Sequence, residues 1–268
     1  MDIKKVLYIS QEIAPYVSET PMSTTTRDLA LGIVEHGVEV RTFSPKYGVI
    51  NERSKQLHEV IRLSGMNIII DDNDHPLIIK VATLQPSRMQ VYFIYNEDYF
   101  AHSLTKQLEI DASPDDNDER CIFYVRGVIE TVRKLGWDPA IIHCGGWVTA
   151  LAPLYMRNLY GDEPSFRDAK IVYSLFDNDF EQPLDSRLAD KLRQDGIDEE
   201  ALAPLLDKQV TQLELTKVAL AHADAVTQCS PDIKPEIMEL VKQSGLPFLP
   251  YQEPETLSEA YWQFYNSL

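Results

Sequence analysis

The side chains of this chain that could do chemistry gather in four stretches, Gln11 to Thr26, Gly145 to Trp147, Phe176 to Asp185 and Ser230 to Asp232, each directly after a short apolar run. The first is rich in hydroxyls and acids (Glu12, Tyr16, Glu19, Ser23 to Thr26) but has no glycine before Gly32. A phosphate-cradling loop needs glycines so that backbone N–H groups can approach the anion, so neither a dinucleotide fingerprint nor a P-loop is present. Ser23 or a neighbouring threonine is expected to cap a helix instead. Gly145-Gly146-Trp147 permits close backbone approach, and Trp147 can either stack on a sugar ring or pack into the core, the commoner fate of an aromatic at a strand-to-helix turn. Asp177, Asp179, Glu181 and Asp185 can bond sugar hydroxyls, hold a hard cation or be solvated. Their spacing, like that of Asp71 to Asp74 and Asp115 to Asp118, lacks the central glycine and terminal glutamate of a calcium loop, so no metal is expected. His143 lies within a strand with no serine or cysteine elbow beside it, and spacing alone yields no catalytic dyad.

These stretches need a scaffold, and the pattern around them supplies one. Short β-type runs (Val6 to Ser10, Val38 to Phe43, Ala140 to Cys144, Lys170 to Leu175, Ala225 to Cys229) alternate with amphipathic helices at about 24–35, 121–136, 147–160 and 233–242. Such alternation predicts βαβ units and a doubly wound, mostly parallel sheet, whose ligand crevice lies at the carboxyl ends of the strands. Ile68 to Ile70, Leu77 to Leu84 and Val91 to Tyr95, spaced by turn residues, predict an added hairpin or meander, and 255–265 a closing amphipathic helix. No repeat, low-complexity segment or long linker divides the chain, so one α/β domain over 1–268 is expected.

Composition narrows the function classes. Forty-two acidic against 25 basic residues give a net charge of −17, a field that repels nucleic acid and anionic lipid surfaces, and no Arg/Lys cluster offers a phosphate a local refuge. No nucleic-acid or membrane partner is expected, nor any secretory leader: the apolar stretch Val6 to Ile9 is too short. Cys121, Cys144 and Cys229 are odd in number and widely spaced, which suits a reducing cytoplasm rather than a disulfide framework.

Several blocks together resemble the glycogen/starch synthase family of retaining glucosyltransferases. Val6 to Ser10 followed by Glu12-Ile13-Ala14-Pro15-Tyr16, then Gly37 to Val40 before Ser44 to Gly48, are similar to that family's opening. Ile141 to Cys144 leading to Trp147 and Thr149 to Tyr155 resemble the surroundings of its His-Asp-Trp motif, and Lys217, Ala223 to Thr227 and Ser230-Pro231 resemble the end of its N-terminal domain. The resemblance implies a Rossmann-like single half of a GT-B fold, with 1–237 family-like and 238–268 an extension; in the family this half binds mainly the acceptor glucan, and the second half holds ADP-glucose.

The departures from that pattern fall on chemistry. Ser18, Glu19, Thr20 and Pro21 stand where the family has a diphosphate-holding Lys-x-Gly-Gly loop; the cation is gone, an acid is gained, and Pro21 has no N–H. Gly145 and Gly146 replace the His-Asp pair, and Phe176 with Asp177 the later His-Asn pair. The resemblance with these losses implies a pseudoenzyme without catalytic residues or cofactor, binding a glucan, a small sugar or a partner protein of polysaccharide metabolism. Two other readings are a synthase component active only with a separate donor-binding domain, and a pure protein-interaction module. The candidate ligand-binding residues are Tyr16, Glu19, Trp147, Thr149, Asp177 and Asn178.

Overall fold

A computed structural model describes residues 3–101, 116–178, 180, 182–206 and 208–268. Its strands are β1 (Lys5–Ser10), β2 (Glu39–Pro45), β3 (His58–Glu59), β4 (Met66–Ile70), β5 (Asn73–Leu84), β6 (Met89–Tyr95), β7 (Ile141–Gly145), β8 (Lys170–Leu175), β9 (Ala225–Gln228) and β10 (Phe248–Leu249). The helices are α1 (Pro21–Glu35), α2 (Glu97–Phe100), α3 (Asn117–Leu135), α4 (Leu151–Asn158), α5 (Leu188–Gln194), α6 (Glu199–Leu202), α7 (Gln212–His222), α8 (Pro235–Ser244) and α9 (Leu257–Ser267).

The strands form one sheet in the order β10-β9-β8-β7-β1-β2-β6-β5-β3, with β4 pairing β5 off this path. Every pairing from β10 to β6 is parallel, whereas β5 runs antiparallel to β6, β3 and β4, as the meander predicted. The chain builds outward from β1 to β2 and β6, then returns to β7 and proceeds through β8 and β9 the other way. The reversal falls between β1 and β7, where such sheets open a crevice beyond the strand ends.

Three helix starts differ most from expectation. α1 begins at Pro21 rather than Thr24, because Thr20 is its cap: the Ser23 N–H donates to Thr20 Oγ1 and Ser23 Oγ accepts the Thr20 N–H, a reciprocal box with proline at the first helical position. The helix expected over 147–160 splits into a 3-10 turn, Trp147–Thr149, and α4. Pro153 has no N–H to bond the Thr149 carbonyl four residues back, so a continuous α ladder cannot run through that position. α3 begins at Asn117 rather than Cys121, with Asp118 and Glu119 in its first turn, where acids favour the dipole; Asp115 lies outside the described residues.

α9 closes over the sheet face that carries Tyr8, His143, Ser174 and Thr227. Its Tyr261 and Tyr265 are fully buried. The Tyr265 hydroxyl lies 2.6 Å from His143 Nδ1 and 3.1 Å from the Tyr8 hydroxyl, and the Tyr261 hydroxyl 3.0 Å from Cys229 Sγ. His143 Nε2 meets the Ser174 hydroxyl at 2.5 Å, and Ser174 bonds Thr227 in turn. On its other side α9 crosses α1 so closely that a Cβ on Gly32 would lie 2.3 Å from Ser258 Oγ, and Trp262 stacks on His36 with ring centres 4.7 Å apart.

Burial pushes the His143 pKa down to about 3, so the folded chain keeps this imidazole neutral, as a satisfied structural residue. The unfolded chain takes up the proton below about pH 6.5, so the stabilisation is complete above that pH and is lost as pH falls toward 3, at up to about 1.4 kcal/mol per unit. His143→Asn is therefore expected to flatten the fall of urea-unfolding free energy between pH 6.5 and 5 relative to the parent. Parallel pH curves for the two proteins would refute this assignment.

Candidate functional site

The residues at the β1/β7 reversal occupy the crevice themselves. Gln11, one residue past β1, is 1% exposed. Its N–H donates to the Gly145 carbonyl at 3.3 Å, and its own carbonyl accepts from the Tyr47 hydroxyl at 2.9 Å and Ser44 Oγ at 3.5 Å. Its side-chain Oε1 accepts from Asn178 Nδ2 at 3.0 Å, a bond that spans the crevice from the loop after β1 to the loop after β8. The Asn178 carbonyl accepts from Gln212 Nε2 at 2.5 Å, and the neighbouring Asp177 N–H donates to Ser230 Oγ at 2.9 Å. All four stretches that follow the central strands thus converge here.

The glycine pair fits this filling. Gly146 sits at φ +87°, and a Cβ there would come 3.0 Å from Gln11 Oε1 and 3.1 Å from Met22 Cε; on Gly145 it would come 3.3 Å from Phe176 Cε2. Phe176, Met22 and Gln11 are all buried. Where the resemblance implies a His-Asp pair, the side chains of Gln11 after β1, Met22 in α1 and Phe176 after β8 pack against the glycines.

The loop 18–21 is likewise committed to the fold. Thr20 spends its Oγ1 on the α1 cap and on Glu12 Oε2, 2.6 Å away, and Pro21 contributes no donor. Ser18 and Glu19 are exposed, and Glu19 Oε1 lies 3.4 Å from Arg27. An anion arriving at the start of α1 would meet a carboxylate and a satisfied cap rather than open N–H groups.

The other candidates are placed as follows. Tyr16 is buried edge-on against Phe93, and burial pushes its pKa up to about 12. Trp147 is 1% exposed with its ring 4.7 Å from that of Phe180, so it packs inward, and its buried Nε1 has no hydrogen-bond partner among the described residues. Thr149, fully buried, donates to the Gly146 carbonyl at 2.8 Å. Asp177 is exposed and Asn178 half-buried, while Asp179 and Glu181 lie outside the described residues. Among the described residues no cluster of His, Cys, Asp or Glu could hold a metal ion.

Beside the crevice, toward β9, a cavity of about 420 Å³ opens between Phe180, Pro183, Gln209, Thr211, Gln212, Leu213, Lys234, Glu236 and Ile237. Of these only Phe180 and Pro183 fall in a stretch singled out from the sequence. Gln11 opened another such stretch, but its role was not legible there. Its position one residue past β1 at the strand reversal was the available signal, and Gln209 and Gln212 carried none.

A family model for the starch synthase catalytic domain matches residues 5–247. The glycogen synthase of Chlorobaculum parvum is 35% identical over 234 residues, and that of Pelodictyon phaeoclathratiforme 34% over 235; each alignment covers 87% of this chain and 47% of the relative. The chain thus spans about half the length of these curated relatives. The catalytic domain of starch synthase IV from Arabidopsis thaliana, solved with ADP and acarbose, superposes with a TM-score of 0.72 at 18% identity, covering 94% of this chain and 51% of that one. That likeness establishes the mostly parallel glycosyltransferase half-fold expected from the sequence. Among the described residues no helix is long and apolar enough to cross a membrane.

Proposed function

We propose, from the premise that this chain belongs to the starch synthase catalytic-domain family, that it does not itself transfer glucose and instead holds a glucan or small sugar. The observation that carries this reading is the Gln11–Asn178 bond across the strand reversal, with Phe176 and Met22 packed around Gly145 and Gly146. Glucosyl transfer requires donors or cations aimed at the charge that develops on a departing diphosphate, and each such contact is worth orders of magnitude in rate. Here the loop 18–21 offers a carboxylate, a proline and a spent cap, and the neighbouring space is filled. Of the two ligands bound by the starch synthase IV domain, ADP and acarbose, the sugar is the one we assign to this chain. The three cysteines are buried free thiols, and we assign the protein to the cytoplasm on that ground.

The test is incubation of the purified chain with ADP-[14C]glucose and glycogen, alongside equilibrium titration with ADP. Label incorporation should stay at the blank, and ADP should bind no tighter than about 1 mM. Incorporation by the chain alone, or submicromolar nucleotide retention, would defeat the proposal. Incorporation seen only after adding the separately expressed donor-binding half of the Chlorobaculum parvum enzyme would replace it with the split-enzyme reading.

A further inference from the structure

The two ends of the sheet carry complementary features that the crevice does not use. Among the described residues the large apolar side chains left in solvent are Ile61, 82% exposed, and Ile69, 54% exposed, both on the β3–β5 meander. Ile61 stands in the turn after β3, where the N–H groups of Leu63 and Ser64 both donate to the Val60 carbonyl, at 2.9 and 3.0 Å. That turn is fixed, so Ile61 projects without a further cost of ordering. The stretch 46–62 around it holds four basic residues against two acidic ones, spaced rather than clustered, in a chain of net charge −17. Lys46 and Lys80 share Glu52, at 3.2 and 2.5 Å, but Arg53, Lys55 and Arg62 make no ion pair among the described residues, and both arginines are exposed.

At the other end, beside β9 and β10, α7 and α8 leave an apolar groove of about 430 Å³ lined by Leu220, Ala221, Ala223, Leu240 and Leu246. Leu220 is its buried floor, whereas Leu240 and Leu246 are only half-buried and Ala221 is exposed, so the walls still have apolar surface to cover. Lys217 at the rim is already paired with Glu214 at 3.3 Å. One turn before Leu240 on the same stripe of α8, the exposed Glu236 makes no ion pair among the described residues. The groove lies within the acidic part of the chain, since residues 176–268 hold 18 acidic against seven basic side chains.

An occupant of this groove needs a projecting apolar side chain flanked by unpaired cations, and the Ile61 turn is such a group. β3 and β10 stand at opposite ends of the strand order, roughly 40 Å apart at the usual strand spacing, so the turn and the groove of one molecule cannot meet. A second copy brings them together. Repulsion between two acidic bodies is screened beyond about 8 Å at physiological salt, while burial of Ile61 and pairing of its flanking arginines act inside that distance. We propose that the chain associates head to tail, the Ile61 turn of one copy seated in the α7–α8 groove of the next, with Arg53 and Arg62 toward the acidic rim of α8. The two surfaces differ, so the contact is heterologous: each added copy presents a free turn and a free groove, and assembly continues past a pair. This inference stands apart from the sugar-binding reading.

The experiment follows the weight-average mass of the full chain by sedimentation over a concentration series reaching about 1 mM at physiological salt. Two variants each remove one side of the contact, Ile61→Asp the turn and Ala221→Arg the groove; both positions are exposed, so the melting temperature should not move. The parent mass should climb past that of a dimer, and each variant alone should weaken association at least about tenfold. Mixed in equal amounts, the variants should form a one-to-one pair and nothing larger, because the intact turn of Ala221→Arg fits the intact groove of Ile61→Asp and no further contact remains. A parent that stays at monomer mass, or that stops at a dimer, overturns the proposal. So does association that survives either substitution, or a mixture of the variants that stays monomeric.

Discussion

Removing residues 251–268 is expected to cost the chain its cooperative fold. α9 buries Leu257, Tyr261 and Tyr265 against the sheet and α1, and fully burying a large apolar side chain contributes about 1.5–3 kcal/mol. Three such side chains approach the roughly 5–15 kcal/mol that a whole domain commands. Deletion also bares Tyr8, His143, Ser174 and Thr227, which now share one buried hydrogen-bonded network with Tyr265. Circular dichroism during heating should show the shortened chain melting broadly or not at all, whereas Tyr265→Phe, which removes only the hydroxyl, should lose about 1–3 kcal/mol and still melt cooperatively. A sharp transition within a few degrees of the parent would show that α9 is dispensable. The family match ends at residue 247, so the result also decides whether residues beyond it belong to the folding unit.

The second large effect is expected at Lys191, whose ammonium is buried between α5 and the start of α3. Its Nζ lies 2.7 Å from Asp118 and from Glu119 and 3.4 Å from Asp185, and Asp118 is fully buried. Burial disfavours the ammonium, but its bonds to Asp118 and Glu119 outweigh that and raise its pKa above the ordinary lysine value. Lys191→Ala leaves an uncompensated buried carboxylate and should destabilise by about 3–5 kcal/mol in urea titration. The double variant Lys191→Met with Asp118→Asn should recover much of that loss, because removing both charges spares the desolvation of a lone one. Equal stabilities for Lys191→Ala and the parent would show that the cluster is solvated.

How much of this was legible in the sequence depended on distance along the chain. The strands announced themselves because β1, β7 and β8 are buried on both faces and read as continuous apolar runs, and the meander because Asp71 to His75 and Gln85 to Arg88 are turn residues between them. The departures from the family pattern that the resemblance implies at 18–21, 145–146 and 176 were legible as residue types. What filled their place was not: Gln11 meets Asn178 from 167 positions away, and Phe176 approaches Gly145 from 31, contacts that no local periodicity encodes. α9 showed an amphipathic stripe, yet nothing in 255–265 said that Tyr261 and Tyr265 would bond Cys229 and His143. Trp147 had two readings at the sequence level, and its packing on Phe180 favours the inward one.

The glycines at 145 and 146 have a bearing on how such a chain can change over time. With φ at +87° and Gln11 and Met22 already against it, position 146 takes a side chain only at the cost of backbone strain and of a shift of a few tenths of an ångström in those neighbours. The effect of a change at the strand reversal therefore depends on its neighbours: a side chain at 146 is tolerated better where Gln11 or Met22 is shortened with it. Single replacements are thereby disfavoured at this spot, whereas exposed neighbours such as Ser18 and Asp177 carry no such coupling.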